Sequence, residues 1–300
     1  MSQRVGVLLP TIRDEDFLAA MKEELQGKGW RIPQDLEIQV RIATQGSTEQ
    51  MRELVEDLNR ADPSLLVTAS SPAALAMARS TTRTPIVFVN VFDPVVLGLV
   101  ESIERPGKNC TGVVGFPPDM AGRWVRKLKE LVPSLTKVGL MYNPETAATM
   151  MPSHRPAATN AAAELGLEFV EVPIARIDDL EGILAPLAER PGCGLVVAPS
   201  TFMPTHREVL VPAINRHRLP ALYGISPMVH AGGLASFGPD IEAQWRAAAA
   251  HVDALLRGAA AETLPVQFAP KTVLTLNLKT ASALGIEIPD HLRQQADVVS

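Results

Sequence analysis

Short apolar runs and segments of helical periodicity take turns along the chain. Val5–Leu9 is a near-continuous apolar run of strand length, and Phe17, Leu18, Met21 and Leu25 follow it at three- and four-residue spacing, the stripe of an amphipathic helix. Leu36–Ile42 alternates as a strand. Ser47-Thr48-Glu49-Gln50 has the form of a capping box, opening a helix whose apolar face is Met51, Leu54, Val55 and Leu58. Leu65–Ala69 is a third strand, Pro72 starts the next helix from a first-turn position, and Ile86–Val91 is a fourth, very apolar strand. A short element after Pro94 leads to a strand at Thr111–Phe116 and a helix from about Asp119 to Leu131.

The scheme then begins again. Lys137–Tyr142, Leu167–Val172, Gly194–Ala198 and Pro220–Gly224 are strands, separated by helical segments around Ala157–Leu165, Leu180–Glu189 and Arg207–Arg216. Apolar strands joined through helices imply right-handed crossovers and parallel sheets covered on both faces. The pattern predicts an α/β protein of two doubly wound parallel-sheet lobes. An eight-stranded barrel is the structural rival, weakened by Pro106-Gly107 and the irregular stretch to Thr111, which interrupt the count.

The last third does not simply extend the second lobe. A short strand at Leu234–Phe237 precedes a long helix, Asp240–Arg257, with Ile241, Trp245, Val252 and Leu256 inward. Strand-like pieces at Leu264–Phe268 and Val273–Leu276 and a helix at Leu278–Leu284 follow. Such a tail suits a chain that returns to the first lobe and crosses again, so that several crossings form a hinge. The expected lobes are 1–115 with about 238–268, and 116–237 with about 269–300, with a ligand cleft between them.

Composition narrows the function. Of 300 residues 46% are hydrophobic and 20% charged, which describes a folded globular chain. The net charge of −5, from 28 basic and 33 acidic residues, speaks against a nucleic-acid surface. The longest basic cluster, Arg123 to Lys129, carries Trp124, Val125 and Leu128 between its charges and reads as the wet side of one helix. Cys110 and Cys193 make neither a disulfide scaffold nor a metal site and read as small apolar fillers. No apolar stretch reaches the length of a membrane span. Val5 begins a strand directly, without the leader of a secreted precursor, so the chain is either cytoplasmic or has lost its leader.

In open parallel sheets ligands bind beyond the carboxyl ends of the strands. The residues there are Pro10-Thr11, Thr68 to Pro72 and Asn90 to Pro94 in the first half. The second half supplies Tyr142 to Thr146, Pro199 to Phe202 and Tyr223 to Pro227. Their hydroxyl and amide side chains adjoin helix N-termini, which favour anions, although plain capping uses the same residue types. Phe92, Phe116, Tyr142, Phe202, Tyr223 and Phe237, six of the 13 aromatics (8 Phe, 2 Tyr, 3 Trp), lie at strand ends or lobe crossings. Apolar walls with a few placed polar groups describe a small-ligand cleft.

Catalytic signatures are thin. The dinucleotide and phosphate-loop glycine motifs, the serine nucleophile elbow and the H-E-x-x-H metal motif are all missing from the sequence. His154, His206, His217, His230, His251 and His291 show no metal-ligand spacing, and His206 and His217 read as solvated on a charged helix. Asp93 and Glu145 both follow strands and have the chemistry of an acid/base pair. With no nucleophile beside it, Asp93 fits better as counter-charge to a ligand amine. No cofactor or metal is expected.

Thr68-Ala69-Ser70-Ser71-Pro72-Ala73-Ala74-Leu75-Ala76, Thr84-Pro85-Ile86-Val87-Phe88 and Asp93-Pro94 through Gly98-Leu99-Val100 together resemble one family. The same holds for Arg105-Pro106-Gly107-Lys108-Asn109-Cys110-Thr111-Gly112 and His217-Arg218-Leu219-Pro220-Ala221-Leu222-Tyr223-Gly224. Ala231-Gly232-Gly233-Leu234 through Asp240, and Asn277-Leu278-Lys279-Thr280-Ala281 with Leu284-Gly285 and Ile288-Pro289, complete the set. The chain is similar, over essentially its whole length, to the bacterial ABC-transporter substrate-binding family that includes tryptophan-binding members. These have the type I periplasmic binding protein fold.

That resemblance implies a two-lobed receptor that closes on a small solute, an amino acid or an aromatic carboxylate, and delivers it to an ABC permease in the membrane. Carried over position by position, it suggests Ser70, Ser71, Asn90 and Asp93 as ligand-binding residues of the first lobe. Tyr142, Asn143, Ser200, Thr201 and Tyr223 follow from the second. Members similar to aromatic-amino-acid binders tend to carry an acidic residue in the loop occupied here by Ser200-Thr201-Phe202, and this chain has none. The resemblance further implies a periplasmic or otherwise extracytoplasmic protein whose leader has been removed, acting as a monomer. A ligand-sensing module that signals to a receptor or regulator shares the fold, and an α/β enzyme using Asp93 or Glu145 is the remaining alternative. DNA-bound repressors with this core need a helix-turn-helix segment ahead of the first strand, for which Val5 leaves no room.

Overall fold

A computed structural model of the chain describes residues 2–10, 14–43, 48–200 and 202–299. The chain divides into two units, Met1–Pro117 with Pro239–Lys271, and Pro118–Gly238 with Thr272–Ser300. The first begins with β1 (Gln3–Leu9), α1 (Asp14–Gly27), β2 (Leu36–Ile42), α2 (Thr48–Arg60), β3 (Leu65–Ala69), α3 (Ser71–Ser80), β4 (Ile86–Val91) and β5 (Cys110–Val114). The second follows with α4 (Met120–Leu131), β6 (Lys137–Tyr142), α5 (Met151–Glu164), β7 (Glu168–Pro173), α6 (Leu180–Ala188) and β8 (Cys193–Val197). It continues through α7 (Phe202–Thr205), α8 (Arg207–Arg216), β9 (Ala221–Tyr223), α9 (Pro227–His230) and β10 (Ala235–Pro239). The chain then re-enters the first unit as α10 (Ile241–Leu256) and β11 (Gln267–Phe268). It ends in the second with β12 (Thr272–Asn277), α11 (Leu278–Leu284), α12 (Asp290–Gln295) and β13 (Asp297–Val299).

The first sheet has the order β2-β1-β3-β4-β5-β11, and all its pairings are parallel. Its central strands are buried on both faces, which is why they read as apolar runs rather than alternating ones. Val5, Val7, Leu9, Val67, Val87 and Val89 face α1 and α10, where Leu18, Met21, Leu25, Trp245 and Val252 close the layer. Leu8, Leu66 and Phe88 face the other way, onto Met51, Val55, Leu58, Ala74 and Met77 of α2 and α3. Each fully buried side chain of this kind contributes about 1.5–3 kcal/mol, so the two layers fix the strand register.

The second sheet runs β7-β6-β8-β9-β10-β12-β13. The β6/β7, β6/β8, β8/β9, β9/β10 and β12/β13 pairs are parallel. The presence of two separate sheets removes the single-barrel alternative. Parallel strands bring their carboxyl ends to one edge in each unit: Ala69, Val91 and Val114 in the first, and Tyr142, Val197 and Tyr223 in the second.

Several local expectations change. α5 begins at Met151, six residues before the predicted start, although Pro152 and Pro156 lie within it. Pro152 occupies a permitted first-turn position, and buried Met151, His154, Ala158, Ala161 and Ala162 hold the helix down. The strand expected over Leu264–Phe268 shrinks to Gln267–Phe268, because a short 3-10 turn at Ala261–Thr263 precedes it. α7, α9, α12 and β13 carry too few residues to show a period. His217 is only partly exposed and bonds Glu181 Oε2 at 2.8 Å, and His206 Nδ1 lies 2.9 Å from the Phe202 carbonyl, so neither is simply solvated. Both cysteines are free and buried, and burial pushes the Cys110 thiol up to about 11. The capping residue Ser47 and the strand-end residue Thr11 lie outside the described residues.

Candidate functional site

At the carboxyl edge of the first sheet the backbone departs from ordinary conformations. Ser70 follows β3 at φ 74° and ψ 152°, a region otherwise kept for glycine, and precedes α3 without capping it through its side chain. Asn90 has φ 54° and sits where the β4/β5 register slips between Val89 and Val91, the signature of a β-bulge. Among the described residues only two other non-glycine positions, Asp62 and Arg218, have positive φ. Such conformations persist only where the surrounding structure enforces them, and they gather at functional sites.

The same two side chains carry unmade hydrogen bonds. Ser70 Oγ and Asn90 Oδ1 are buried with no partner. Ser71 Oγ instead accepts from the Phe92 N–H at 3.2 Å, tying α3 to the β4 exit. Asp93 Oδ1 accepts from the N–H groups of Val95 and Val96, both at 3.1 Å, and fixes the turn that follows. Phe92 stacks on Phe116 with ring centres 4.9 Å apart and planes at 17°. The structure therefore brings Ser70, Ser71, Asn90 and Asp93 to one edge, where Ser70 and Asn90 carry the unpartnered atoms and Phe92 and Phe116 form an aromatic pair.

Gln244, on α10, belongs with them and was not among the predicted residues. It is fully buried, and neither end of its amide has a partner. A Cβ on Gly115 would overlap Asn90 Oδ1 and crowd Gln244 Oε1 at 3.2 Å, so the two amides converge on the space that this glycine leaves. The signal available in the sequence was a polar residue inside the apolar stripe of Ile241, Trp245, Ala248 and Val252.

In the second unit the predicted residues divide. The Tyr142 hydroxyl donates to Glu171 Oε2 at 2.7 Å and receives Arg155 Nη2 at 3.4 Å. Burial, with the Glu171 carboxylate adding to it, raises the Tyr142 pKa. Asn143 Nδ2 donates to the carbonyls of Ile174 and Ala175 at 2.9 and 3.3 Å. Its Oδ1 accepts from Glu145 N, Thr146 N and Thr146 Oγ1. The Asn143 side chain is thus taken up in organising its own loop. Ser200 Oγ and the Tyr223 hydroxyl are buried without partners. The Tyr223 ring lies in the core with Met203, Leu210 and Met228, where burial raises its pKa. Thr201 lies outside the described residues. Glu145 is exposed.

Among the described residues no group of three or more His, Cys, Asp or Glu could hold a metal ion, and no helix is long and apolar enough to cross a membrane. The edges offer hydroxyls, amides, aromatic faces and one carboxylate, which is chemistry for holding a polar small molecule.

Comparison with known proteins gives this chemistry a context. The sequence pattern described as ABC transporter substrate binding protein matches residues 15–300. A tyrosine-binding protein from Clostridioides difficile (strain R20291) is 25% identical over 223 residues, 74% of this chain and 63% of that protein's length. A conserved domain protein from Vibrio cholerae is 27% identical over all of both chains, with a TM-score of 0.85. A Streptococcus pneumoniae domain solved in complex with L-Trp is 21% identical, again over all of both chains, with a TM-score of 0.86. That likeness shows the type I periplasmic binding protein fold.

Proposed function

The chain belongs to the family of ABC transporter substrate-binding proteins, and from that membership we propose that it is the extracytoplasmic receptor of an ABC importer. It captures a small solute, an amino acid or an aromatic carboxylate, by closure of its two lobes, and hands it to a permease in the membrane. Capture is noncovalent and needs only a monomer. Ser70, Ser71, Asn90 and Asp93 hold the solute from the first lobe, the Asp93 carboxylate facing an amine. Ser200, Thr201 and Tyr223 hold it from the second, with Tyr142 and Asn143 shaping the loop and edge around them. The closed form is favoured because only there do both sets of contacts exist.

One observation carries this reading: Ser70 and Asn90 combine positive φ with buried, unpartnered polar atoms at neighbouring strand ends. Each unmade bond costs about 1–3 kcal/mol, and a bound solute is the partner that would offset it. The tyrosine-binding relative and the L-Trp complex support the amino-acid class.

The test is a thermal-shift titration of the purified protein against amino acids and small aromatic carboxylates, repeated with Asp93→Asn. That variant keeps the acceptor that fixes the Val95–Val96 turn and removes only the charge. A true ligand at a hundred times its Kd stabilises by about 2.7 kcal/mol, and Asp93→Asn weakens binding of amine-bearing ligands. The absence of any shift across the panel would refute the proposal, and unchanged affinity in the variant would remove Asp93 from the site.

A further inference from the structure

Gln244 lies in the second turn of α10, on the stripe that Ile241, Trp245 and Ala248 pack against the first sheet. A leucine would fill such a position at no polar cost, yet a carboxamide is buried there with both Oε1 and Nε2 unpartnered. Its Oε1 faces the space over the Gly115 α-carbon, and so does Asn90 Oδ1 from the bulge of β4. Ser70, whose N–H bonds the Val89 carbonyl at 3.0 Å, brings a third unpartnered group to the same strand ends. Phe92, two residues after Asn90, stacks on Phe116, which directly follows Gly115.

Buried charge is what this place lacks: the one carboxylate of the edge, Asp93, is only half-buried and its Oδ1 accepts from the Val95 and Val96 N–H groups. The buried polar residues described in the first unit are Thr68, Ser71, Thr111, Gln244 and His251. His251 lies two turns further along α10, with Nε2 3.0 Å from the Pro265 carbonyl. A carboxylate would meet no buried cation here and an ammonium no buried carboxylate, and an unpaired charge is costly to bury. Two carboxamides and a hydroxyl offer donors and acceptors side by side.

We propose that Gln244 and Asn90 form the inner end of the solute site in the first unit, and that this end selects a neutral group that both donates and accepts hydrogen bonds, such as a carboxamide or a phenol hydroxyl. The inference rests on the receptor reading above and deepens it: the charged end of the solute is held elsewhere, and its neutral polar end sits against Gln244. A solute without that group leaves the amides unmatched, and sites built this way discriminate strongly against such analogues.

Calorimetric titration with matched pairs tests it: L-tyrosine against L-phenylalanine, L-glutamine against L-methionine, and L-glutamine against L-glutamate. Wild-type protein is expected to prefer the neutral polar member of at least one pair by about tenfold or more. Gln244→Leu is expected to reduce that preference to within about threefold by weakening the polar member alone, and to raise the melting temperature of the ligand-free protein. Should Gln244→Leu fail to fold, Gln244→Met, unbranched and of similar length, takes its place. A preference left intact in the variant, an equal loss for both members, or a wild-type preference for the charged or apolar member would each overturn the inference while leaving the receptor reading standing. Wild-type protein that binds no solute of the panel overturns the receptor reading, and this inference with it.

Discussion

Replacing Ser70 by glycine should make the ligand-free protein more stable and its grip on solute weaker. At φ 74° and ψ 152° the residue occupies a region that costs any side chain about 1–3 kcal/mol. Its hydroxyl is buried, caps nothing and bonds nothing, so its removal gives up no interaction and relieves a group that costs about 1–3 kcal/mol. Against this stands the greater freedom of glycine in the unfolded chain, about 0.5–1 kcal/mol. The balance is a gain of about 1–5 kcal/mol, which for a unit of this size raises its melting temperature by about 2–4 °C per kcal/mol. Ser70→Ala separates the two contributions, since it removes the hydroxyl and keeps the strained backbone. Its gain should be smaller and its loss of solute affinity the same. Scanning calorimetry of the ligand-free variants, with amide exchange followed in α3 and β4, measures the stability, and titration calorimetry the affinity. A Ser70→Gly protein less stable than wild type would refute the reasoning, for it would mean that the side chain makes a bond or that the backbone is unstrained.

Asn143→Ala should lower the stability of the second unit by about 2–4 kcal/mol, because one side chain joins the Ile174 and Ala175 carbonyls to the Glu145 and Thr146 amides. Ser200→Ala removes a buried hydroxyl without a partner and should leave stability unchanged or raise it by up to about 1–3 kcal/mol, and a loss in urea unfolding equal to that of Asn143→Ala would contradict this division. His251 carries a pH dependence of known sign. Burial holds its pKa below the ordinary histidine value of 6.5, so as pH falls below that value the unfolded chain takes up the proton first. Its stabilising contribution is full above about pH 6.5 and is lost as pH falls toward the folded pKa, with a slope of at most about 1.4 kcal/mol per pH unit. His251→Gln should flatten that part of the profile between pH 7.5 and 5.5, and an unchanged slope in urea unfolding would show that the imidazole plays no part.

The strands were readable because both faces of each central strand are covered. Leu65–Ala69, Ile86–Val91 and Lys137–Tyr142 are apolar at nearly every position, and each is a strand with those bounds. Helices with a full stripe were equally legible, down to Arg207–Arg216 and Leu278–Leu284. The reading failed where burial overrode local preference. The prolines at 152 and 156 argue against a helix over 151–156, and only the burial of Met151 and His154 makes one. Short pieces such as Pro227–His230 have no period to detect, and they form because their neighbours are already in place.

The candidate site was legible only in part, and for a physical reason. The rule for parallel sheets points to the carboxyl ends of strands, which is enough to find Ser70 and Asn90. It cannot tell a free hydroxyl or amide from a committed one, because that depends on partners far away in sequence. Tyr142 is committed through Glu171, and Asn143 through the carbonyls of Ile174 and Ala175, about thirty residues on. Ser70, Asn90 and Ser200 have the same kinds of side chain and no such partners. Gln244 lay beyond the rule altogether, since it enters from a helix rather than from a strand end. A single polar residue in an apolar stripe looks like the edge of the wet face until burial is known. Ser70, Asn90 and Gln244, at the proposed solute site, carry polar atoms that the folded chain leaves unsatisfied. If they hold the solute as proposed, stability and function pull in opposite directions at these positions, and substitutions that strengthen the empty protein there should be the ones that cost it its ligand.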